Sequence, residues 1–167
     1  MTTLNFSSNA NETLSGKSYN ITQTAGFTPT TVTLDFTKSS VTLADNLNGD
    51  PISGAHVNQI LNVNKATLEG TNYLFWGNAT FKGNELDNNG TINVENSSIA
   101  TIDTGKFGGT GMFFLEYGGT ANLNTKVGSG QTFDLGLGST LNVDDPQHFR
   151  GHIDALPTQG VSRAPSR

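Results

Sequence analysis

One short phrase recurs along the chain, and it restricts the fold more than any other feature. It reads Thr, apolar, Asn or Asp, apolar, and is clearest at Thr140-Leu141-Asn142-Val143. The same phrase stands at Thr3-Leu4-Asn5-Phe6, Thr33-Leu34-Asp35-Phe36, Thr91-Ile92-Asn93-Val94 and Thr120-Ala121-Asn122-Leu123, and Leu61-Asn62-Val63 repeats it with Ile60 in place of Thr. Counted from the first apolar residue, at positions 4, 34, 61, 92, 121 and 141, the steps are 30, 27, 31, 29 and 20 residues. A recurrence of this kind marks a repeat architecture, in which one unit cannot bury its apolar face alone and stacks on its neighbours.

Successive side chains of a strand point to opposite faces. The two apolar residues of each phrase therefore share the inner face, and the Asn or Asp between them points outward. Stacking the phrases in register predicts an outward polar ladder of Asn5, Asp35, Asn62, Asn93, Asn122 and Asn142, with neighbouring amides bonded to each other. The expected fold is all-β: a parallel β-helix, or β-solenoid, of about five to six three-sided coils of 27 to 31 residues each, with Gly and Asn at the corners. The alternative is an antiparallel β-sandwich, for which Asn48-Gly49 and Asn89-Gly90 supply good hairpin turns. A sandwich gives no reason for one phrase to recur at near-constant spacing.

The rest of the chain is compatible with strands throughout. Alternation is visible at 31–36, 40–43, 59–64, 66–68, 91–95, 99–103 and 132–135, with Gly, Asn and Asp between the runs. A single solenoid domain is expected over residues 1–156, with an atypical N-terminal cap over 1–30. An aromatic and glycine-rich insertion is expected over 107–119, and a disordered tail over 157–167.

Composition bounds the function. Charged residues are 14% of the chain, against roughly 25% in ordinary globular proteins, and the net charge is −5. The lysines are scattered singly, which argues against nucleic acid as a partner. Cysteine is absent, so there is no thiol chemistry and no Cys-based zinc site. No stretch approaches the roughly 18 apolar residues of a membrane helix, so no membrane insertion is expected. The Thr/Asn/Gly bias without Cys points to a bacterial secreted or cell-surface protein, although no signal peptide is visible.

With the phrases Gly90-Thr91-Ile92-Asn93-Val94 and Gly138-Ser139-Thr140-Leu141-Asn142-Val143, and with Asp144-Asp145-Pro146 followed by Phe149-Arg150-Gly151-His152-Ile153, the chain resembles the passenger repeats of bacterial autotransporter and filamentous-haemagglutinin-like adhesins. The resemblance covers most of residues 30 to 156. It implies a right-handed parallel β-helix, secretion, and an adhesive or fibre-forming role. It brings no catalytic residues with it.

No residue set announces a chemistry. Asp144 and Asp145 are adjacent, which in a strand sends them to opposite faces and makes a poor acid/base couple; with Pro146 next they read as a corner turn. His148 and His152 lie about 13 Å apart along a strand, too far for one ion. The expectation is a non-enzymatic chain without cofactor or metal. The candidate binding or assembly surface is aromatic: Tyr73, Phe75, Trp76, Phe113 and Tyr117. Alternation in Tyr73-Leu74-Phe75-Trp76 leaves one apolar pair outside, and exposed apolar patches mark interaction surfaces. The expected partners are further copies of the chain, as a homo-oligomer or fibre, or a glycan or cell surface. A carbohydrate-binding or polysaccharide-degrading β-helix is the alternative.

Overall fold

The computed structural model describes residues 1–155. The alternating sequence forms fourteen strands: β1 (Thr2–Phe6), β2 (Ala10–Thr13), β3 (Ser18–Thr24), β4 (Thr30–Asn48), β5 (Val57–Leu68), β6 (Thr71–Phe75), β7 (Gly77–Asn88), β8 (Thr91–Glu95), β9 (Ile99–Gly108), β10 (Met112–Leu115), β11 (Thr120–Leu123), β12 (Thr132–Leu135), β13 (Thr140–Val143) and β14 (His152–Ala155). The only helical segment among the described residues is a 3-10 turn at Pro146–His148. Every pairing between named strands is parallel. The chain is thus a β-solenoid of about seven turns, and the sandwich is excluded.

The coil is shorter than the phrase spacing suggested. Gln59, Ala79, Ala100, Ala121 and Leu141 stand one above another, at steps of 20, 21, 21 and 20 residues. Each coil has three paired runs. In one coil these are Asn78–Lys82 and Glu85–Asn88 within β7, then Thr91–Glu95 in β8. We call them sides one, two and three. The bend between the first two falls at Gly83, whose φ is +135° and where a Cβ would be driven into the Val63 carbonyl oxygen. Only glycine fits that backbone.

Three of the five steps of the phrase are therefore about one and a half coils and change side, while the 27- and 20-residue steps are one coil and keep it. Leu61 is on side one, Ile92 on side three and Ala121 on side one again. The 27-residue step from Leu34 to Leu61 is one coil, lengthened by the loop between β4 and β5. Asn48-Gly49 opens that loop, a small hairpin closed by the antiparallel bridge Asp50–Ala55. The turn signal was real, but it belongs to a corner of the solenoid.

Apolar side chains fill the bore. Leu34, Leu61, Phe81, Ile102 and Leu123 form one buried row of side one. Toward the C-terminal end Phe107, Phe113, Phe133 and Phe149 stack at centroid distances of 5.7, 5.3 and 5.5 Å. Each fully buried ring contributes about 1.5–3 kcal/mol. Residues 107–119 are consequently regular coil and not an insertion: Met112–Leu115 is in register with Thr91–Val94 below and Thr132–Leu135 above. The N-terminal 30 residues also coil, with β1 paired to β3 and β2 to β4. The expected tail, 157–167, lies outside the described residues.

Buried amides staple the corners between coils. Gln131 Nε2 donates to the carbonyls of Asn88 (2.9 Å) and Gly108 (2.7 Å), and its Oε1 accepts from Asn88 Nδ2 (3.1 Å). Gln23 Nε2 donates to the carbonyls of Thr30 (2.9 Å) and Asn58 (3.2 Å). Such bonds satisfy backbone groups that the bends take out of the ladder.

Candidate functional site

The candidate site is the corner where side three turns into side one. In successive coils this corner is the connection β3–β4 (residues 25–29), β4–β5 (49–56), β6–β7 (Trp76), β8–β9 (96–98), β10–β11 (116–119) and β12–β13 (136–139). The connections lie directly on one another. Ser53 Oγ donates to the Gly26 carbonyl (3.4 Å), the Gly49 amide to the Phe75 carbonyl (2.9 Å), and the Ser97 amide to the Tyr117 carbonyl (3.2 Å).

The corner carries an exposed apolar ridge. Phe27 is 88% exposed, Ile52 94%, Tyr117 61% and Leu137 79%. Trp76 is half-buried between Ile52 and the Asn96-Ser97 corner, with Phe75 against its ring edge at 6.3 Å. With coils about 4.8 Å apart, the five steps from Phe27 to Leu137 extend about 24 Å. Asn96-Ser97 is the one polar step between Trp76 and Tyr117. The charged residues within or beside these connections are acidic: Asp50, Glu95 and Glu116.

Two aromatic residues of the ridge are held against their backbone preference. Trp76 has φ +58° and Tyr117 φ +48°. A left-handed backbone is ordinary for Gly or Asn, and Asn96 takes it on the same corner with φ +53°. For a bulky residue it is an outlier costing on the order of 1–3 kcal/mol.

Of the five aromatic residues expected at the surface, the structure brings four to this corner and its flank. Trp76 and Tyr117 are on the corner; Tyr73 and Phe75 are exposed on side three beside it. Phe113 is a correction. It is fully buried in the phenylalanine stack, because its register with Ile92 and Phe133 turns it inward and leaves Met112 and Phe114 outside. Phe27, Ile52 and Leu137 were missed. Their signal was a large apolar residue beside or near glycine in a connection: Gly26-Phe27, Ile52-Ser53-Gly54 and Gly136-Leu137-Gly138.

The six residues of the expected polar ladder divide among three rows. Asn5 and Asn93 share a row of side three with Thr22, Asn46, Tyr73, Phe114, Asp134 and Asp154. Asp35 and Asn62 continue into Lys82 and Asp103. Asn122 and Asn142 follow Thr33, Ile60, Thr80 and Thr101. Phrases one and a half coils apart fall on different sides, and on side one Asn122 and Asn142 are shifted by two residues against the row of Asp35 and Asn62. Amide bonding exists where residues do stack: Asn142 Nδ2 donates to Asn122 Oδ1 at 2.8 Å. Asp35 instead accepts from the Thr37 hydroxyl (2.6 Å) and amide (2.9 Å), which hold its carboxyl below the usual range.

A shallow groove on side one, near the C-terminal end, is lined by Thr101, Asn122, Asn124, Asn142 and Asp144. Asp145 and His148 are bonded to each other (Nδ1 to Oδ2 2.7 Å), as are His152 and Asp154 (Nε2 to Oδ1 2.8 Å). Among the described residues no group of three or more His, Asp or Glu side chains is placed to hold a metal ion. The chain matches no known protein family, no curated protein and no solved structure.

Proposed function

We propose that the chain is a non-catalytic adhesive solenoid of a bacterial surface or secreted assembly, and that it binds along its apolar corner. The observation that carries this reading is the pair Trp76 and Tyr117, one half-buried and one exposed, both kept in strained left-handed backbone on the corner that carries Phe27, Ile52 and Leu137. Strained backbone of this kind clusters at functional sites, and an exposed apolar patch marks a contact surface. The resemblance of the Gly-Thr-Ile-Asn-Val phrases to adhesin passengers supports the same class.

The test is retention of the purified chain on immobilised bacterial polysaccharides and on a hydrocarbon-coated surface. The double variant Trp76→Ala/Tyr117→Ala should keep the β-sheet circular dichroism spectrum and lose at least about tenfold in binding, the scale of removing two aromatic anchors. Unchanged retention would end the reading.

The side-one groove favours a second reading, a carbohydrate-binding or carbohydrate-degrading module. Its asparagine amides and Asp144 are hydrogen-bonding groups of the kind that bind sugar hydroxyls. Asn122→Ala/Asn142→Ala would then abolish glycan retention that the Trp76/Tyr117 variant leaves intact, and Asp144→Asn would stop release of reducing sugar.

A further inference from the structure

The two ends of the solenoid differ, and the difference selects one mode of self-association. At the N-terminal end the outermost strand of side one is β2. Glu12 in β2 is in register with Leu34, on the bore side of the ladder, and is exposed there. The same row runs through Leu61, Phe81, Ile102 and Leu123 to Val143 at the other end. Stacking a second copy head to tail would place the Glu12 carboxylate over Val143 inside a continuous apolar bore. Inward-pointing charges at sheet edges block that kind of growth.

The C-terminal end has no such guard among the described residues. Its bore-side residues are Leu141, Val143, Phe149 and Ile153, all partly exposed, and no described strand pairs with the outer edges of β13 and β14. In β14 the His152 amide donates inward to the Gln131 carbonyl at 2.8 Å. By the alternation of a parallel strand, the N–H and C=O of Ile153 face the outer edge, which no described strand covers.

We propose that this edge pairs with the same edge of a second copy, β14 against β14 about a two-fold axis at Ile153. The outward-facing backbone groups of Ile153 then bond to those of its counterpart. Antiparallel pairing at this centre sets each His152 opposite the other copy's Asp154. The charge pattern suits it: Asp154 stacks directly on Asp134 and is bonded to its own chain's His152 at 2.8 Å, and across the pair each of these His/Asp couples meets the same couple of the other copy with opposite groups facing. Such a two-fold contact closes at a dimer, while Glu12 keeps the dimer from growing into a fibre.

Cross-linking tests this directly, because the chain contains no cysteine. Residues opposed across a two-fold antiparallel pair are about 5.5 Å apart at Cα, within disulfide reach. Ile153→Cys should give a disulfide-linked dimer on mild oxidation, whereas a head-to-tail contact would set position 153 over Leu4 of the next copy and give none. Light scattering on the full chain should report twice the 17.6 kDa chain mass. His152→Asp should return it to the monomer, and adding Asp154→Lys should restore the dimer. A full chain that stays monomeric at high concentration, one that grows past the dimer, or a His152→Asp variant that still dimerises would each overturn the proposal. In the surviving case Glu12→Leu should yield species larger than a dimer.

Discussion

Tyr117 shows how a single backbone angle separates stability from function. Its φ of +48° is followed by Gly118 at +82°, and its ring is largely in solvent, where it gains little from burial. The equivalent corner one coil earlier uses Asn96 and Ser97, so the fold itself has no need of an aromatic residue here. Tyr117→Asn is accordingly expected to raise the stability of the chain by about 1 kcal/mol, by relieving left-handed strain. The same variant is expected to lose retention on the surface the wild type binds. Thermal unfolding and retention measured side by side check both. Falling stability together with intact binding would mean that Tyr117 is packing and nothing more.

At the scale of strands, the coil length was legible in the sequence, but in a different signal from the phrase. Asparagine amides pair at a separation of 20 residues: Asn78 with Asn58 (3.0 Å), Asn84 with Asn64 (2.9 Å) and Asn142 with Asn122 (2.8 Å). The phrase marks strands of two sides at once, so its spacing mixes one coil with one and a half. The inward parity of Leu61, Ile92 and Ala121 was readable because alternation is local. The parity of Met112-Phe113-Phe114-Leu115 was not, because four consecutive apolar residues carry no alternation and only the register with Ile92 decides it.

Asp45 is the strand position that pattern reasoning could least anticipate. It lies in the bore of β4, fully buried, its amide donating to Asn72 Oδ1 at 2.7 Å. Gln59, turned with its amide nitrogen toward the carboxyl, donates to Oδ2 at 2.5 Å and Oδ1 at 3.2 Å. Burial pushes the Asp45 carboxyl up to about 8, against the smaller lowering by the Asn46 amide and Gln59. The folded state therefore holds a proton that the unfolded state releases above 3.8. The stabilisation is complete below pH 3.8 and is lost as pH rises toward about 8. Asp45→Asn removes this titration. It is expected to melt at a temperature much less dependent on pH between 5 and 9, and to exceed the wild type at pH 9 by on the order of a few kcal/mol. Parallel pH profiles of wild type and variant would reject the assignment.

Across the whole molecule the backbone of each coil pairs only with its neighbours, and the Gln131–Asn88 amide bonds alone among those described above reach across an intervening coil, so stability approximates a sum over coils and the contacts between them. The long strands β4, β5, β7 and β9 pair on both edges and make the middle of the stack its most protected part. The phenylalanine stack belongs to the C-terminal half, joining the coils of β9, β10, β12 and the Phe149 corner. Phe113→Ala leaves a cavity at its centre and costs about 3–5 kcal/mol. In a stack dominated by nearest-neighbour contacts that loss stays local. Amide hydrogen exchange should therefore accelerate together in β9 to β14 and remain near wild type in β3, β4 and β5. A uniform acceleration along the chain would show that the coils unfold as one unit, and that the bore couples the apolar corner at Phe27 to the dimer edge at Ile153 over the length of the rod.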